Sequence, residues 1–397
     1  MNCKICDNSV LRFSNSHLSM LVPIGYPLSG ELTLNICKSC QFVSNLSSNT
    51  EANYLDYYTK LNKHQAREGD LFDIDKDYFS EIISYVEENS DFEFAHANIL
   101  DFGSGALLFS ELANEAGAKL SLNFDVGNSS LSGIQFDLVI STHTFEHLLY
   151  PIKDFENLLN LLSENGYIAI AVSDLSGYGR AYYGPYAHFD LEHINHFSAP
   201  ALEALFERFD VDVLSIRRGE RRVTPTLAYS EVLFVGKKRI GAPKQKLELE
   251  IFAAEDELKS LVERYEIDFK MTIDAFEKII EQANSIGKYK ISFYGLSSYA
   301  FRLLHVLDEI GLLEKVDFYG DSDSRLSVFG YGVNSILQKN EFYRKVKDSI
   351  DDGFTVYVVV FAINSYRIVE MLQEECKFDR MNVIALPPDS QNRKDIQ

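Results

Sequence analysis

Four of the five cysteines in this 397-residue chain stand in two pairs, Cys3-x-x-Cys6 and Cys37-x-x-Cys40. Two residues between cysteines let a tight turn aim both sulfurs at one ion, and two such turns complete a tetrahedron. The spacing predicts a zinc ion on Cys3, Cys6, Cys37 and Cys40. With four protein ligands no position stays open for water or substrate, so the ion is expected to be structural. The competing reading of the same residues is two redox pairs. Between the pairs, Leu18 to Leu34 reads as short strands with turns at Gly25-Tyr26-Pro27 and Ser29-Gly30. Cys376 stands alone on a helix-like segment and is expected to be a buried apolar residue.

A second set of chemical residues lies further on. Asp101-Phe102-Gly103-Ser104-Gly105 ends an apolar run in a glycine turn, which brings backbone N–H groups and a helix N-terminus close to a ligand. Asp125 follows at the end of the next apolar run, where a carboxylate can accept both hydroxyls of a ribose. Glu146-His147 stands just beyond the run Phe136-Asp137-Leu138-Val139. Glu192-His193-Ile194-Asn195-His196-Phe197-Ser198 precedes a helix capped by Ser198 with Pro200 in its first turn. An imidazole can take a proton at neutral pH, so His193 is a candidate base that Glu192 would orient. The bland reading is that His193 or His196 caps or packs. His143 and His188 are expected to be structural or solvent-facing, and His17, His64, His96 and His305 carry no signal. Arg217, Arg218, Arg221 and Arg222 form either a local anion site or a solvated hairpin surface.

These residues need a scaffold. Residues 41–95 read as mainly helical, with a tyrosine patch at Tyr54, Tyr57 and Tyr58. Strands are expected at Asn98–Phe102, Lys119–Phe124, Phe136–Ser141, Tyr167–Ser173, Val211–Arg217 and Ser230–Val235, with helices at Leu107–Ala116 and Phe155–Leu162. Strands alternating with helices imply a mostly parallel sheet. The charged, helix-periodic stretch Pro243 to Ile286 reads as a helical connector or hairpin. A second α/β unit follows, with strands near Lys290–Tyr294, Val316–Tyr319, Thr355–Phe361 and Asn382–Leu386. There Gly295 and Asp321 imitate a dinucleotide fingerprint whose full glycine set is missing. The expected fold class is α/β, with boundaries at 1–50, 51–95, 96–240, 241–287 and 288–397.

Bulk properties narrow the partners. The formal charge of −21, from 38 basic and 59 acidic residues, repels a phosphate backbone, so nucleic acid is excluded. No run of eighteen apolar residues suggests a membrane span, and the opening Met-Asn-Cys-Lys does not read as a signal peptide. A cytoplasmic protein, monomer or homodimer, is expected.

The glycine turn, Asp125 and the Phe-Asp-Leu-Val strand together resemble S-adenosylmethionine-dependent methyltransferases of the Rossmann-like class. The order of cysteine-rich domain, such a domain, and a C-terminal Rossmann-like domain resembles the deoxysugar C-methyltransferases that act on nucleotide sugars, over nearly the whole chain. The resemblance implies S-adenosylmethionine as cofactor, held by Asp101, Gly103, Gly105 and Asp125, and a nucleotide-sugar substrate. It places the base at Glu192-His193, a further histidine at His147, and a tyrosine at Tyr57 or Tyr58, Tyr58 being preferred. It implies that residues 51–95 cover the substrate and that the C-terminal domain supports the sugar-nucleotide site or dimer packing. Four features depart from the family pattern. Ala106-Leu107 replaces the third glycine. The short link from Asp125 to Phe136 leaves no room for the family's edge strand and its helices. Asp190 replaces a tyrosine, and Arg221-Arg222-Val223-Thr224 replaces a glycine-rich substrate motif. Two alternatives stand beside methyl transfer: a donor-independent, epimerase-like proton transfer on a nucleotide sugar, and a non-catalytic binding protein.

Overall fold

The computed structural model describes residues 2–61, 69–103, 107–124, 133–179, 188–225, 227–238, 253–360 and 365–386. They fall into two compact units. The first contains residues 1–13, 33–46 and 63–260, and the second residues 14–32, 47–62 and 261–397.

Strands of the first unit are β1 (Val10–Ser14), β2 (Thr33–Cys37), β3 (Val43–Asn45), β4 (Asn98–Phe102), β5 (Leu120–Phe124), β6 (Phe136–Thr142), β7 (Leu162–Ser173), β8 (Asn195–His196), β9 (Val211–Thr224) and β10 (Leu227–Lys238). The main sheet runs β5-β4-β6-β7-β10-β9. Its first four strands are parallel, and the β9–β10 hairpin adds antiparallel to β7. The parallel strands are apolar runs because both their faces are covered. One face packs Leu100, Val139, Ile168 and Ile170 against Phe155, Leu202 and Phe206. The other packs Ile99, Leu138 and Ala169 against Phe79, Ile82 and Phe109. Among the described residues β5 is the sheet's edge, as the short link after Asp125 predicts.

The small sheet β1-β2-β3-β8 joins the cysteine pairs to the main domain. Val43 faces His196 and Ser44 faces Asn195 across the β3–β8 ladder. Ile5 and Phe42, beside the cysteines, are buried in the same core as Phe197 and Phe206.

Several expectations are corrected. The stretch before Thr33 is a 3-10 turn at Ser16–Leu18 and irregular chain, not short strands. Its glycines and prolines favour turns over ladders. Residues 41–95 begin with β3 before the helices Glu51–Leu61 and Asp70–Glu88. The hairpin strands run far beyond Val211–Arg217 and Ser230–Val235, because β9 is mostly half-buried or exposed and carries no long apolar signal. Ser198 has N-cap backbone geometry, but its hydroxyl lies 3.5 Å from the Gln41 carbonyl instead of capping the helix Ala199–Arg208. The connector is one helix, Ala254–Ile286, whose residues from Leu261 on belong to the second unit.

The second unit carries β11 (Tyr289–Tyr294), β12 (Phe318–Asp321), β13 (Gly330–Tyr331), β14 (Asn334–Gln338), β15 (Thr355–Val360) and β16 (Met381–Ala385) in the order β13-β14-β12-β11-β15-β16. All its pairs are parallel except the β13–β14 hairpin, which was not expected. Tyr294, Phe318, Phe342, Val356 and Val358 form its core. Among the described residues no helix is long and apolar enough to cross a membrane.

Candidate functional site

The cysteines converge. The sulfurs of Cys3, Cys6, Cys37 and Cys40 all lie within 4.8 Å of one another. Cys3 and Cys40 are 3.6 Å apart, Cys6 and Cys37 3.5 Å. Four thiolates at about 2.3 Å from one zinc ion sit roughly 3.8 Å apart, so this donor set fits that ion. The two turns match each other. Asp7 N–H returns to the Cys3 carbonyl and Gln41 N–H to the Cys37 carbonyl, at 3.1 and 2.8 Å. Asp7 and Gln41 both take positive φ, 59° and 60°, which is what bends each turn around its sulfurs. Ile5 N–H and the Asn8 amide donate to the sulfurs of Cys3 and Cys6. The bond between Cys3 and Cys40 holds the Cys3 thiol well below its usual range and pushes that of Cys40 up, as two sulfurs sharing one proton do. Cys376 is buried, as expected.

The glycine turn lies where β4 hands over to β5 on one side and β6 on the other, the switch point at which open α/β sheets take ligands. Asp101 is 1% exposed there. Gly103 has φ 79° and donates to the Phe124 carbonyl at 2.8 Å. A Cβ on residue 103 would collide with the side chain of Thr144, whose hydroxyl sits 3.1 Å from the Gly103 carbonyl. This glycine is therefore required by the protein's own packing. Gly105 and Asp125 lie outside the described residues.

His147 and His193 are brought together from loops 46 positions apart in sequence, their ring centroids 4.8 Å apart and edge-to-face. His147 follows β6 in the 3-10 turn Phe145–His147, and its Nδ1 lies 3.0 Å from the Glu192 carbonyl. His193 Nδ1 lies 2.9 Å from the His188 carbonyl. A carbonyl only accepts, so both rings carry a proton on Nδ1. Both are half-buried, as is Glu192. The two loops are laced by Ile194 N–H on the Glu146 carbonyl at 2.7 Å. The fully buried Asn195 amide adds bonds to the carbonyls of Phe145 and Leu148, at 2.9 and 2.6 Å. His196 is buried beside Tyr178. Tyr58 lies in the second unit on the helix Glu51–Leu61, half-buried with its ring against Tyr57.

Next to this pair stands a network that the sequence reading placed among structural or surface residues. His143, at φ 50° just after β6, puts Nδ1 3.2 Å from Glu146 Oε1 and Nε2 2.8 Å from Glu231 Oε2. Two carboxylates on two ring nitrogens require both nitrogens to donate, so the ring is an imidazolium. Burial opposes that charge, but Tyr229 and the two carboxylates outweigh it and lift His143 to about 10. Burial also works against the charge on Glu146 and Glu231, and His143 more than offsets it, so both are lowered. Glu231, inside β10, further accepts from Tyr78 at 2.5 Å and Arg217 at 3.2 Å. Glu146 Oε1 also accepts the Ser173 N–H at 2.7 Å. The available signal was Glu231, directly before the apolar run Val232 to Val235.

The arginines do not form a free anion site. Arg217 pairs with Glu231, Arg218 with Asp174 at 2.9 Å, and Arg221 lies over Tyr78 and 3.7 Å from Asp75. Arg218 and Arg222 are exposed, Arg217 and Arg221 half-buried. In the second unit Asp321 serves its own turns, accepting Leu296 N–H at 2.5 Å and Asp323 N–H at 2.7 Å.

Residues 74–216 match the family model described as a methyltransferase domain. No curated protein sequence matches the chain. Among solved structures, an S-adenosylmethionine-dependent methyltransferase from Mesorhizobium loti is 12% identical, with 39% of this chain and 96% of that one covered and a TM-score of 0.29. The 1,6-didemethyltoxoflavin-N1-methyltransferase of Burkholderia thailandensis is 13% identical, with 52% and 95% covered and a TM-score of 0.35. The magnesium protoporphyrin IX methyltransferase of Synechocystis is 11% identical, with 49% and 100% covered and a TM-score of 0.33. Residues 74–216 carry a methyltransferase domain, and the protein is an enzyme, a methyltransferase.

Proposed function

We propose that this methyltransferase moves a methyl group from S-adenosylmethionine to a carbon beside the carbonyl of a nucleotide-linked keto-deoxysugar. The observation that carries the reading is the pair His147 and His193, each held through Nδ1 by a backbone carbonyl and packed edge-to-face on the other. Carbon methylation next to a carbonyl needs a base to remove a proton, and His193 is that base. His147 packs edge-to-face on it and limits its orientation. The substrate class rests on the resemblance of the whole chain to the deoxysugar enzymes.

The residues fit the donor in part. Asp101 and Gly103 stand at the switch point, and with Gly105 and Asp125 they would hold its ribose and backbone atoms. When bound, the donor supplies a methyl on a positively charged sulfur, and the protein's task is in-line placement. Zinc on Cys3, Cys6, Cys37 and Cys40 holds the small sheet whose β3 strand pairs with β8, directly after the histidine turn. Calorimetry with S-adenosylmethionine and S-adenosylhomocysteine tests the donor. We expect binding of both, and silence at millimolar ligand overturns the reading.

Thr144 against Gly103 and the sheet's end at β5 favour a second reading, proton transfer on the same sugar without a donor. Solvent deuterium entering the keto sugar in the absence of donor supports it.

A further inference from the structure

One side chain holds both histidine loops. Asn195 stands two residues after His193 and is wholly buried. Its amide nitrogen donates to the carbonyls of Phe145 and Leu148, which stand on either side of Glu146-His147. Both amide hydrogens are thereby spent, and the amide oxygen is left to accept. The ammonium of Lys4 stands 3.5 Å from that oxygen. Lys4 lies inside the first cysteine turn, between Cys3 and Cys6.

The second cysteine turn reaches the same place through the backbone. Beyond Cys40, β3 donates Asn45 N–H to the Ile194 carbonyl at 2.7 Å and sets Ser44 opposite Asn195. Ile194 N–H is on the Glu146 carbonyl. The residue next to His193 is therefore gripped from the cysteine side and from the His147 side at once. The ring of Phe42, two residues after Cys40, packs on Phe197 at 5.1 Å. The ladders behind these ties are short, Leu34 to Ile36 against β3 and then Val43 and Ser44 against β8. Strands this short do not hold a turn unaided. Convergence of four sulfurs on one ion supplies what they lack, because binding such an ion is itself folding free energy.

We propose that Asn195 is a positioning residue through which the cysteine cluster sets the histidine pair, so that metal occupancy gates the site. That the gate acts on turnover rests on the reading of His193 as the base; the coupling of the metal to the two rings does not. Coupling of this kind is reciprocal, so a change that frees the histidine turn also weakens the metal, although it touches no ligand.

The test uses the full chain, loaded with zinc and labelled with nitrogen-15 in its histidines. The Nδ1–H protons of His147 and His193 sit on carbonyls and should give resolved signals. Chelating the zinc should erase them, while the Nε2–H of His143, held on Glu231, stays. Asn195→Ala should erase them with zinc bound and, in competition with a chelating dye, weaken zinc about tenfold. Lys4→Met leaves the two carbonyl bonds of Asn195 in place and should weaken zinc less. His147 and His193 signals that survive chelation overturn the gate. Loss of the His143 signal along with them also overturns it, because the metal would then hold the whole domain. If Asn195→Ala itself loses the His143 signal, Lys4→Met decides, and unchanged zinc affinity there overturns the coupling. A chain that takes up no zinc overturns it too. None of these measurements uses a sugar, so a keto sugar that fails to bind sinks the substrate reading and leaves the coupling standing.

Discussion

His143 and His193 sit in neighbouring loops of one domain, yet they are held in opposite ways. His143 has both nitrogens on carboxylates, and its side chain is 12% exposed. His193 has one nitrogen on a backbone carbonyl and is half-buried. An imidazolium between two carboxylates cannot exchange a proton without stranding a buried charge. An imidazole pinned by one carbonyl keeps a basic nitrogen and a fixed direction. The first arrangement builds a site, and the second can work in one.

Substitution is the sharpest way to break that contrast. His143→Asn leaves Glu146 and Glu231 without their cation and should cost about 3–5 kcal/mol of stability in the first unit. Urea unfolding measures it, and a loss below about 1 kcal/mol would contradict the imidazolium. His193→Asn should cost under about 1 kcal/mol of stability and instead slow turnover roughly 10²–10⁴-fold. A variant that melts early but turns over normally would reverse the two roles.

The pH dependence follows from His143. Its value rises from 6.5 to about 10 on folding, so its stabilisation is complete below about 6.5 and is lost as pH rises through 10. Glu231 is lowered on folding, so its share is present above 4.5 and is lost on acidification. Stability should peak between these limits and fall on the alkaline side, and the alkaline fall should vanish in His143→Asn. Nitrogen NMR gives a direct view: both His143 nitrogens should be protonated at pH 8.

The smallest contrast lies in the arginines. Arg218→Ala strands Asp174, which is 3% exposed, and should cost about 1–3 kcal/mol. Arg222→Ala, at an exposed position, should stay within about 0.5 kcal/mol.

The sequence made some of this legible. The cysteine spacing exposes a metal set because the ligand turns are local. Strands β4, β6 and β7 announce themselves as apolar runs because both faces are largely buried. His147 and His193 could be nominated from a family pattern, though their approach depends on Asn195 and on Ile194 N–H, neither of which has a signature. The bond from His143 to Glu231 spans 88 residues and depends on the register of β10 against β7, which no local pattern encodes. Nor could the sequence distinguish a glycine kept for a ligand from Gly103, kept for Thr144.

The ties between the N-terminal cysteine turns and the rest of the first unit have a further consequence. Arg208 bonds the Ile5 carbonyl across 203 residues of chain, and Lys4 reaches Asn195 across 191. Contacts this distant form late, because the loop they close must first be brought together. On a ribosome the residues around Ile5 must wait for residue 208 before they can dock. The parallel strands can assemble earlier, and the turn bearing His193 is fastened last. Refolding followed by circular dichroism and by ligand binding should therefore show two steps, a sheet first and a competent site afterwards, with only the second delayed when metal is withheld.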